Sequence, residues 1–386
     1  MKILLLNDTR VESNPGCHAT VGELLKFLKV TVPGSHIDTL SMGMEYENFS
    51  DKRFFMPANQ KRNIIASVRG LFPKSAMRPA WDYDYPQINY QFWDKHFTGF
   101  LSEQFKRTAS NHDLIIVNME GTIHHNSIGG LVLLSMAMYC KQQGKYVFMV
   151  NGSYQAMNTA ISKSILGSMD FVSVREPLSK AYLGHMGIRA SLIPDFAFMS
   201  DLGPVRVDCD ESTIGRHKCL YTPGVLGAYP GQNGGLSLKS IKRHMTEIRK
   251  AGFEPYFLKV EDRETSIEQE LNRVNVRTLD ANVGAEIWKL GPLLDDFELI
   301  ITGRYHIGIF GVLRGIKTVF LPSNTFKIEG LLKMIDAQHM MVRGPLKAQK
   351  LKKLVTNAKQ IPAITNDMQK KFKPFARKLN DVCKQM

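Results

Sequence analysis

The sequence has few cysteines and no long apolar run. Its five cysteines are scattered and odd in number, and they form neither a CxxC pair nor a zinc-finger spacing with histidines, so we expect reduced thiols and no structural metal. The apolar runs are about 4–8 residues long, well short of the ~18 residues that a membrane-spanning helix needs. The first residues, Met1 to Asp8, turn polar too early for a signal peptide and predict a first strand. We therefore expect a soluble cytoplasmic protein.

Several catalytic motifs are also missing. The sequence contains no Walker phosphate-binding sequence, no G-x-S-x-G nucleophile elbow and no cluster of metal ligands. The glycine-containing stretches SILGSMD and GGLVLL are too loose to indicate a dinucleotide fingerprint. These absences argue against a serine nucleophile and against metal chemistry, and they leave acid–base chemistry and anion binding.

The chain is long and strongly basic. Its 386 residues are enough for two α/β domains. The net charge of +14 attracts anionic partners, a class that includes nucleic acid, acidic glycans, nucleotide phosphates and membrane surfaces.

Apolar strands alternate with amphipathic helical segments, a pattern typical of parallel sheets covered by helices. The predicted strands are Ile3–Asn7, His36–Leu40, Asp113–Asn118, Tyr146–Asn151, Phe171–Val174, Ser191–Ile193, Cys219–Thr222, Pro255–Val260, Leu299–Thr302 and Thr318–Leu321. The predicted helices are Thr20–Lys29, Gly130–Gln143, Tyr154–Ser168, Pro177–Met186, Leu238–Ala251, Ile267–Asn275 and Gly308–Arg314. The polar segment Asp201–Lys218 breaks the rhythm and predicts a linker. We therefore divide the chain into a first domain at 1–205, a second at 218–345 and a tail at 346–386.

Two regions lie outside this alternation, and both are basic. The insertion 51–107 carries 10 basic and 5 acidic residues with aromatic side chains among them. The tail from Pro345 to Met386 has a local net charge of +9. Charge runs of this kind are often solvated helix faces, but they also suit a large anionic acceptor.

The stretch NMEGTIHHN, Asn118 to Asn126, follows the apolar run Leu114–Val117. Polar residues at the carboxyl end of a parallel strand lie where open α/β sheets bind ligands. Glu120 is therefore a candidate general base for an acceptor hydroxyl, or else a cap of the following turn. His124 and His125 are adjacent and diverge, so we expect acceptor contacts or surface positions rather than a metal site.

A second motif, ITGRYHIGIFGVLRG, runs from a strand through Gly303 into a helix. Arg304 and His306 are expected at the helix N-terminus, where the helix dipole and backbone N–H groups favour an anion and an arginine adds a bidentate grip. The alternative is an interdomain salt bridge for Arg304 and a capping role for His306.

Other strand exits supply further candidates. Donor-binding candidates besides Arg304 and His306 are Arg175, Lys327, Glu329, Thr222, Gly224 and Ser323. Lys327 is expected to meet a phosphate and Glu329 a ribose hydroxyl, although glutamate near a helix start is also ordinary dipole chemistry. Acceptor-binding candidates besides the two histidines are Asp8, His18, Arg62, Arg69, Arg78, Trp81 and Tyr83.

These motifs together resemble the polysaccharide pyruvyl transferase family. The resemblance covers roughly Asn7 to Leu332 and rests on NPGCHAT, on DFVSVREPLSKAYLGHMGIRASLIPDFAF, and on ITGRYHIGIFGVLRGIKTVFLP followed by KIEGLL. It implies a GT-B-like fold, in which two Rossmann-like domains face each other across a cleft and a C-terminal helix crosses back to the first domain. It also implies that Arg304, His306 and Arg175 hold the anionic group of the donor. Where family members that make pyruvyl ketals usually show a glycine-rich turn, this chain carries Glu120, which favours sugar transfer.

Three functional hypotheses follow. The first is a metal-independent, inverting glycosyltransferase that needs no cofactor and moves a sugar from a nucleotide-sugar to a hydroxyl on a large anionic acceptor, with hydroxylated DNA of a phage type or an acidic glycan as candidates. The second is pyruvyl transfer from phosphoenolpyruvate to a glycan. The third is a non-catalytic nucleic-acid-binding protein on a transferase fold.

Overall fold

The computed structural model describes residues 1–56, 85–204, 217–224, 237–357, 368 and 370–385. Among these residues, two parallel sheets are each covered by helices, and a short antiparallel strand pair lies beside the first sheet. The predicted α/β class is confirmed. No described helix is both long and apolar enough to cross a membrane.

The first sheet has the strand order β2-β1-β5-β6-β7-β8 among the described residues, and all neighbours are parallel. The strands of this half are β1 (Lys2–Leu6), β2 (His36–Leu40), β3 (Phe55–Met56), β4 (Gln87–Ile88), β5 (Leu114–Asn118), β6 (Tyr146–Gly152), β7 (Phe171–Val174) and β8 (Ser191–Leu192). Its helices are α1 (Pro15–Thr31), α2 (Gly43–Asn48), α3 (Tyr90–Phe100), α4 (Glu103–Ser110), α5 (Ile128–Gln142), α6 (Thr159–Leu166) and α7 (Pro177–His185). Strand β5 is buried along its whole length because helices cover both faces of the sheet.

The second sheet has the order β11-β10-β9-β12-β13, again all parallel among the described residues. Its strands are β9 (Lys218–Thr222), β10 (Glu254–Lys259), β11 (Arg277–Asp280), β12 (Leu299–Thr302) and β13 (Lys317–Phe320). The helices of this half and of the tail are α8 (Leu238–Lys250), α9 (Thr265–Asn272), α10 (Leu290–Leu294), α11 (Tyr305–Leu313), α12 (Lys327–Met334), α13 (Ala348–Asn357) and α14 (Lys373–Gln385).

Three predicted helix starts lie three or more residues from the observed ones, and capping explains two of them. The helix predicted from Thr20 begins at Pro15, because Asn14 caps it and proline is favoured at the first helical position. The helix predicted from Tyr154 begins at Thr159, because Asn158 caps it and Ala156 has a positive φ of 55°. The helix predicted from Gly308 begins three residues earlier, at Tyr305. The helix predicted to end at Asn275 ends at Asn272.

The insertion contributes to the core where it is described. Trp93 and Phe97 on α3 are buried, stack on each other, and belong to the core of the first domain. The indole Nε1 of Trp93 donates to Ser135 Oγ at 2.8 Å. These aromatic side chains are therefore packing residues and not acceptor contacts. Strand β11 was not predicted, because its four residues RTLD carry no apolar run.

The two domains exchange parts of their cores. Phe326, which precedes α12, is buried in the apolar cluster of the first domain, whereas Phe198 and Leu202 belong to the cluster of the second. Helix α12 packs on α7, and α11 packs on α1 and on the 3-10 helix Phe196–Met199. These contacts hold the carboxyl ends of the two sheets against each other.

The tail contacts both domains. Helix α13 packs on α8, so the first part of the tail stays with the second domain. Met368 still belongs to the second core, but Phe372, Phe375, Leu379 and Val382 pack against the first sheet and α1. The C-terminal helix therefore crosses back to the first domain, as the family resemblance implied.

Candidate functional site

A cavity of about 330 Å³ lies between the two domains. Its walls come from the loops that follow β1, β5 and β7 of the first sheet and β10, β12 and β13 of the second. All these loops leave the carboxyl ends of parallel strands, where open α/β sheets bind ligands. Polar and charged side chains dominate the lining, and Glu120, Arg175, Arg304, His306 and Lys327 are among them.

His306 crosses from the second domain into the first. Its Nε2 lies 3.3 Å from Thr20 Oγ1 and 3.4 Å from both Glu120 Oε1 and Asp195 Oδ2. The side chain reaches this position because residue 16 is glycine: a Cβ on Gly16 would lie 2.0 Å from His306 Nδ1. His306 is thus inside α11 and contacts two carboxylates, and it is not a helix cap.

Asp195 joins His306 to Arg175. The guanidinium of Arg175 donates to Asp195 Oδ2 at 2.6 Å and stacks at 4.2 Å over the ring of Tyr305. Burial by itself raises the pKa of Asp195, but the positive charges of His306 and Arg175 outweigh it and lower that pKa well below 3.8. Asp195 therefore stays ionised and contacts both Arg175 and His306.

Glu120 faces the cavity and does not cap a turn. Its carboxylate accepts from Thr9 Oγ1 at 3.2 Å and contacts Cys17 Sγ at 3.9 Å. Burial raises the pKa of Glu120 above 4.5, with the nearby charge of His306 opposing the shift and that of Asp195 adding to it. A carboxylate with a raised pKa is a stronger base, and Glu120 lines the cavity, so it stays the candidate general base.

Arg304 is held by two carboxylates of its own domain. Its NH1 donates to Glu261 Oε1 and its NH2 to Glu264 Oε1. The predicted alternative of an interdomain salt bridge is wrong, because both partners follow β10 in the second domain. Arg304 nevertheless lines the cavity, and its buried Nε has no hydrogen-bond partner in the part of the chain that the structure describes.

Lys327, the first residue of α12, also lines the cavity. Burial lowers its pKa from 10.5 to about 7, and the charges of Arg175 and Arg304 add to the shift. The structure shows no hydrogen bond or ion pair for its ammonium group among the described residues. When Lys327 is protonated, it places in the cavity a positive charge that a bound anion would compensate.

The profile of the polysaccharide pyruvyl transferase family matches residues 14–325. The chain belongs to this family. Apart from β1, the match spans both sheets, and it includes the charged residues of the cavity described in this section except Lys327. The family match makes the protein a transferase. A search of curated proteins finds no match.

The solved structures similar to this chain include UDP-GlcNAc 2-epimerases. UDP-GlcNAc 2-epimerase from Neisseria meningitidis, bound to UDP-GlcNAc, shares 14% identity over 99% of this chain and 100% of that chain, with a TM-score of 0.51. The enzyme from Methanocaldococcus jannaschii, in complex with UDP-GlcNAc and UDP, shares 14% over 93% and 94%, with a TM-score of 0.53. The enzyme from Rickettsia bellii shares 11% over 99% and 96%, with a TM-score of 0.51. At these identities the likeness shows the fold, which is the two-domain GT-B type.

The other predicted donor residues of this pyruvyl transferase family member lie near the cavity without lining it. Thr222 is buried at the end of β9, and Gly224 packs against the backbone of Gly303. Ser323 is buried and donates to Asn324 Oδ1 at 3.2 Å. Glu329 is partly buried in the first turn of α12. Asn324, the neighbour of Ser323, does line the cavity.

The predicted acceptor residues divide into three groups. His124 lines the cavity, and its Nδ1 lies 3.0 Å from His125 Nδ1, so the two rings meet instead of diverging. Asp8 accepts from the backbone and guanidinium of Arg10, and His18 contacts Glu12 O at 2.9 Å, so both have local partners. The remaining predictions lie outside the described residues: Arg62, Arg69, Arg78, Trp81 and Tyr83.

Sequence reasoning missed several residues of the site, among them Asp195, Gly16, Glu261 and Arg263. Asp195 lies in the quoted motif IPDFAF, and Gly16 lies in NPGCHAT, but their contacts with His306 cross between domains and leave no local signal. Glu261 and Arg263 follow β10, and a polar strand exit was the available signal for them. Within the described residues, no group of three or more histidine, cysteine, aspartate or glutamate side chains is placed to hold a metal ion.

Proposed function

We propose that the interdomain cavity binds phosphoenolpyruvate and that the enzyme transfers its pyruvyl group to hydroxyls of a glycan. The observation that carries this proposal is that charged side chains line a small cavity: Arg175 and Lys327 supply positive charge there, beside Glu120 and His306. At about 330 Å³ the cavity lies at the lower end of the range for small-molecule sites. That size suits a three-carbon donor better than a nucleotide-sugar.

The chemistry assigns a role to each group. Glu120 takes the proton of the attacking acceptor hydroxyl, and the contact of Glu120 with His306 allows the pair to deliver a proton to the methylene carbon, which becomes the methyl group of the ketal. The acceptor oxygen adds to the central carbon, and the C–O bond to phosphate breaks. Arg175 and Lys327 stabilise the negative charge of the departing phosphate. The second acceptor hydroxyl closes the ketal, and its proton leaves with the phosphate.

A nucleotide-sugar donor is the second candidate, and the fold favours it. The structures from Neisseria meningitidis and Methanocaldococcus jannaschii carry UDP-GlcNAc on the same two-domain architecture. In that case the same cations hold a diphosphate, and Glu120 activates the acceptor for sugar transfer with inversion.

Donor turnover distinguishes the two reactions. We expect release of inorganic phosphate from phosphoenolpyruvate in the presence of a glycan acceptor, and loss of that release in Glu120→Gln. Release of a nucleoside diphosphate from UDP-GlcNAc, without phosphate release from phosphoenolpyruvate, would replace the first candidate by the second. Turnover of neither donor would favour a non-catalytic binding protein.

We also infer a large anionic acceptor, because the second domain carries a basic face. Helices α8 and α13 pack side by side, and the backbone N–H of Ala348 donates to Glu247 Oε2 at 2.9 Å. The exposed basic side chains on and beside these two helices include Lys239, Arg243, Lys250, Lys347, Lys352 and Lys353. An acidic glycan is the acceptor that fits the family, and modified DNA is the alternative.

Salt dependence tests the basic face. Binding of an acidic polysaccharide that weakens as salt rises, and that weakens further in Lys352→Glu/Lys353→Glu, supports the inference. Tighter binding to duplex DNA than to any acidic glycan would assign the face to nucleic acid. The cytoplasmic location stays a prediction of the sequence.

A further inference from the structure

Glu261 bridges two arginines at the wall of the cavity. Its Oε1 accepts from Arg304, and its Oε2 accepts from Nε of Arg263. All three side chains line the cavity, and the Glu261 side chain is 19% exposed. A carboxylate held between two guanidinium groups is the same arrangement that arginines make with a bound carboxylate or phosphate.

The second carboxylate on Arg304 is different. Glu264 is fully buried, does not line the cavity, and also accepts from the backbone N–H of Val260 at 2.7 Å and of Glu261 at 3.2 Å. Glu264 is therefore tied into the loop after β10. The Glu261 carboxylate has a face toward the cavity, and its partner Arg304 keeps an unpaired Nε among the described residues.

We propose that Arg263 and Arg304 form an oxyanion subsite that the Glu261 side chain occupies in the unliganded protein and that a carboxylate or phosphate group of the donor occupies when it binds. The inference rests on the proposed function of the cavity as an anionic donor site. It adds Arg263 to the donor contacts and makes Glu261 an internal competitor. Donor binding then exchanges one carboxylate–arginine pairing for another, and no buried arginine is left without an anion at any stage.

The substitution Glu261→Gln tests this proposal, because the proposal predicts tighter donor binding in the variant. Glutamine keeps an acceptor for the capping interaction that Glu261 makes with the turn at Glu264, but it removes the competing charge. We expect phosphoenolpyruvate to bind about two- to fivefold more tightly to the variant, the range for a partly exposed ion pair. If Glu261 only orders Arg304, the variant binds the donor more weakly. Glu264→Gln is the matched control, for which we expect a less stable protein and no gain in affinity.

A double-mutant cycle separates exchange from simple like-charge repulsion. Calorimetric titration of phosphoenolpyruvate into Arg263→Gln and into Arg263→Gln/Glu261→Gln measures how much Glu261→Gln raises the affinity when one arginine of the subsite is absent. If the donor anion replaces Glu261 on the two arginines, the gain in affinity should shrink toward zero in the Arg263→Gln background. An undiminished gain in affinity would show that Glu261 only repels the donor, and it would overturn the proposal. Titration with inorganic phosphate and with pyruvate shows which group of the donor replaces Glu261, because only that anion keeps the gain.

The proposed function and this inference fail in different ways. If the wild-type protein binds neither phosphoenolpyruvate nor inorganic phosphate, the anionic donor site itself is wrong. If the wild-type protein binds phosphoenolpyruvate and Glu261→Gln binds it equally or less well, the donor site stands and the exchange at Arg263 and Arg304 is refuted.

Discussion

Lys327→Met is expected to make the unliganded protein more stable while it weakens donor binding. The ammonium of Lys327 is buried in the cavity, and its pKa falls from 10.5 to about 7 chiefly because of that burial. At about 1.36 kcal/mol per pKa unit, a difference of about 3.5 means that keeping Lys327 charged costs the folded protein at most about 5 kcal/mol. Because the side chain is only partly buried, we expect about 2 kcal/mol.

The sign follows from proton binding. The pKa of Lys327 is lower in the folded state, so the unfolded state binds more protons between pH 7 and pH 10.5. Below pH 7 the folded protein carries the full free-energy cost of the buried charge on Lys327. Between pH 7 and pH 10.5 the stability of the wild-type protein therefore rises with pH. Lys327→Met lacks this contribution. Its advantage should therefore be largest at pH 6 and smaller at pH 9.

Urea denaturation followed by circular dichroism at pH 6, 7.5 and 9 measures the difference. Lys333→Met is the matched control, since Lys333 is an exposed lysine of the same helix and its change should have little effect at any pH. Saturating phosphoenolpyruvate should stabilise the wild-type protein more than Lys327→Met. A variant that is less stable than the wild type at pH 6, or a difference that does not change with pH, would refute the reasoning.

Three further predictions concern the interface and the core. Gly16→Ala should lower kcat/KM, because the added Cβ displaces His306 even though alanine favours a helix. Gly22→Ala on the same helix is the control: a Cβ there meets nothing within 4 Å, so this change should be neutral or should stabilise the protein by up to about 1 kcal/mol. Burial raises the pKa of Glu176 to about 7, so the folded state binds more protons than the unfolded state between pH 4.5 and 7, and the wild-type protein loses stability as pH rises through that range. Glu176→Gln should remove this loss from denaturation curves measured across the range. An unchanged pH profile would contradict this prediction. Phe375→Ala, which removes a fully buried ring from α14, should cost about 3–5 kcal/mol in the same assay, and a smaller cost would mean that the tail adds little to the first domain.

The strands could be predicted from the sequence because each central strand is a continuous apolar run. Leu299–Thr302 is fully buried, and its predicted bounds match those of β12. The helix starts were harder, because they depend on capping side chains such as Asn14 and Asn158, which lie outside the apolar pattern. Strand β11 has two exposed residues of four and so lacks the pattern altogether.

The sequence could predict candidate-site residues that directly follow a strand. It could not predict contacts between segments that lie far apart in the chain. Glu120 and Arg304 follow buried strands, which is the signal that identified them. The partner of Arg304, Glu261, lies 43 positions away, and Asp195 meets His306 only once the domains are assembled. No local pattern encodes such pairs, since spacing along the chain does not report distance in the fold.

The exchange of core residues between the halves affects how the protein unfolds. Phe326 fills the first core from the second half, α14 covers the first sheet from the far end of the chain, and Leu202 fills the second core from the first half. Neither half is therefore a complete folding unit, and melting one removes apolar cover from the other. The protein should unfold in a single cooperative step, and a fragment ending at residue 205 should expose part of its interior to solvent and aggregate.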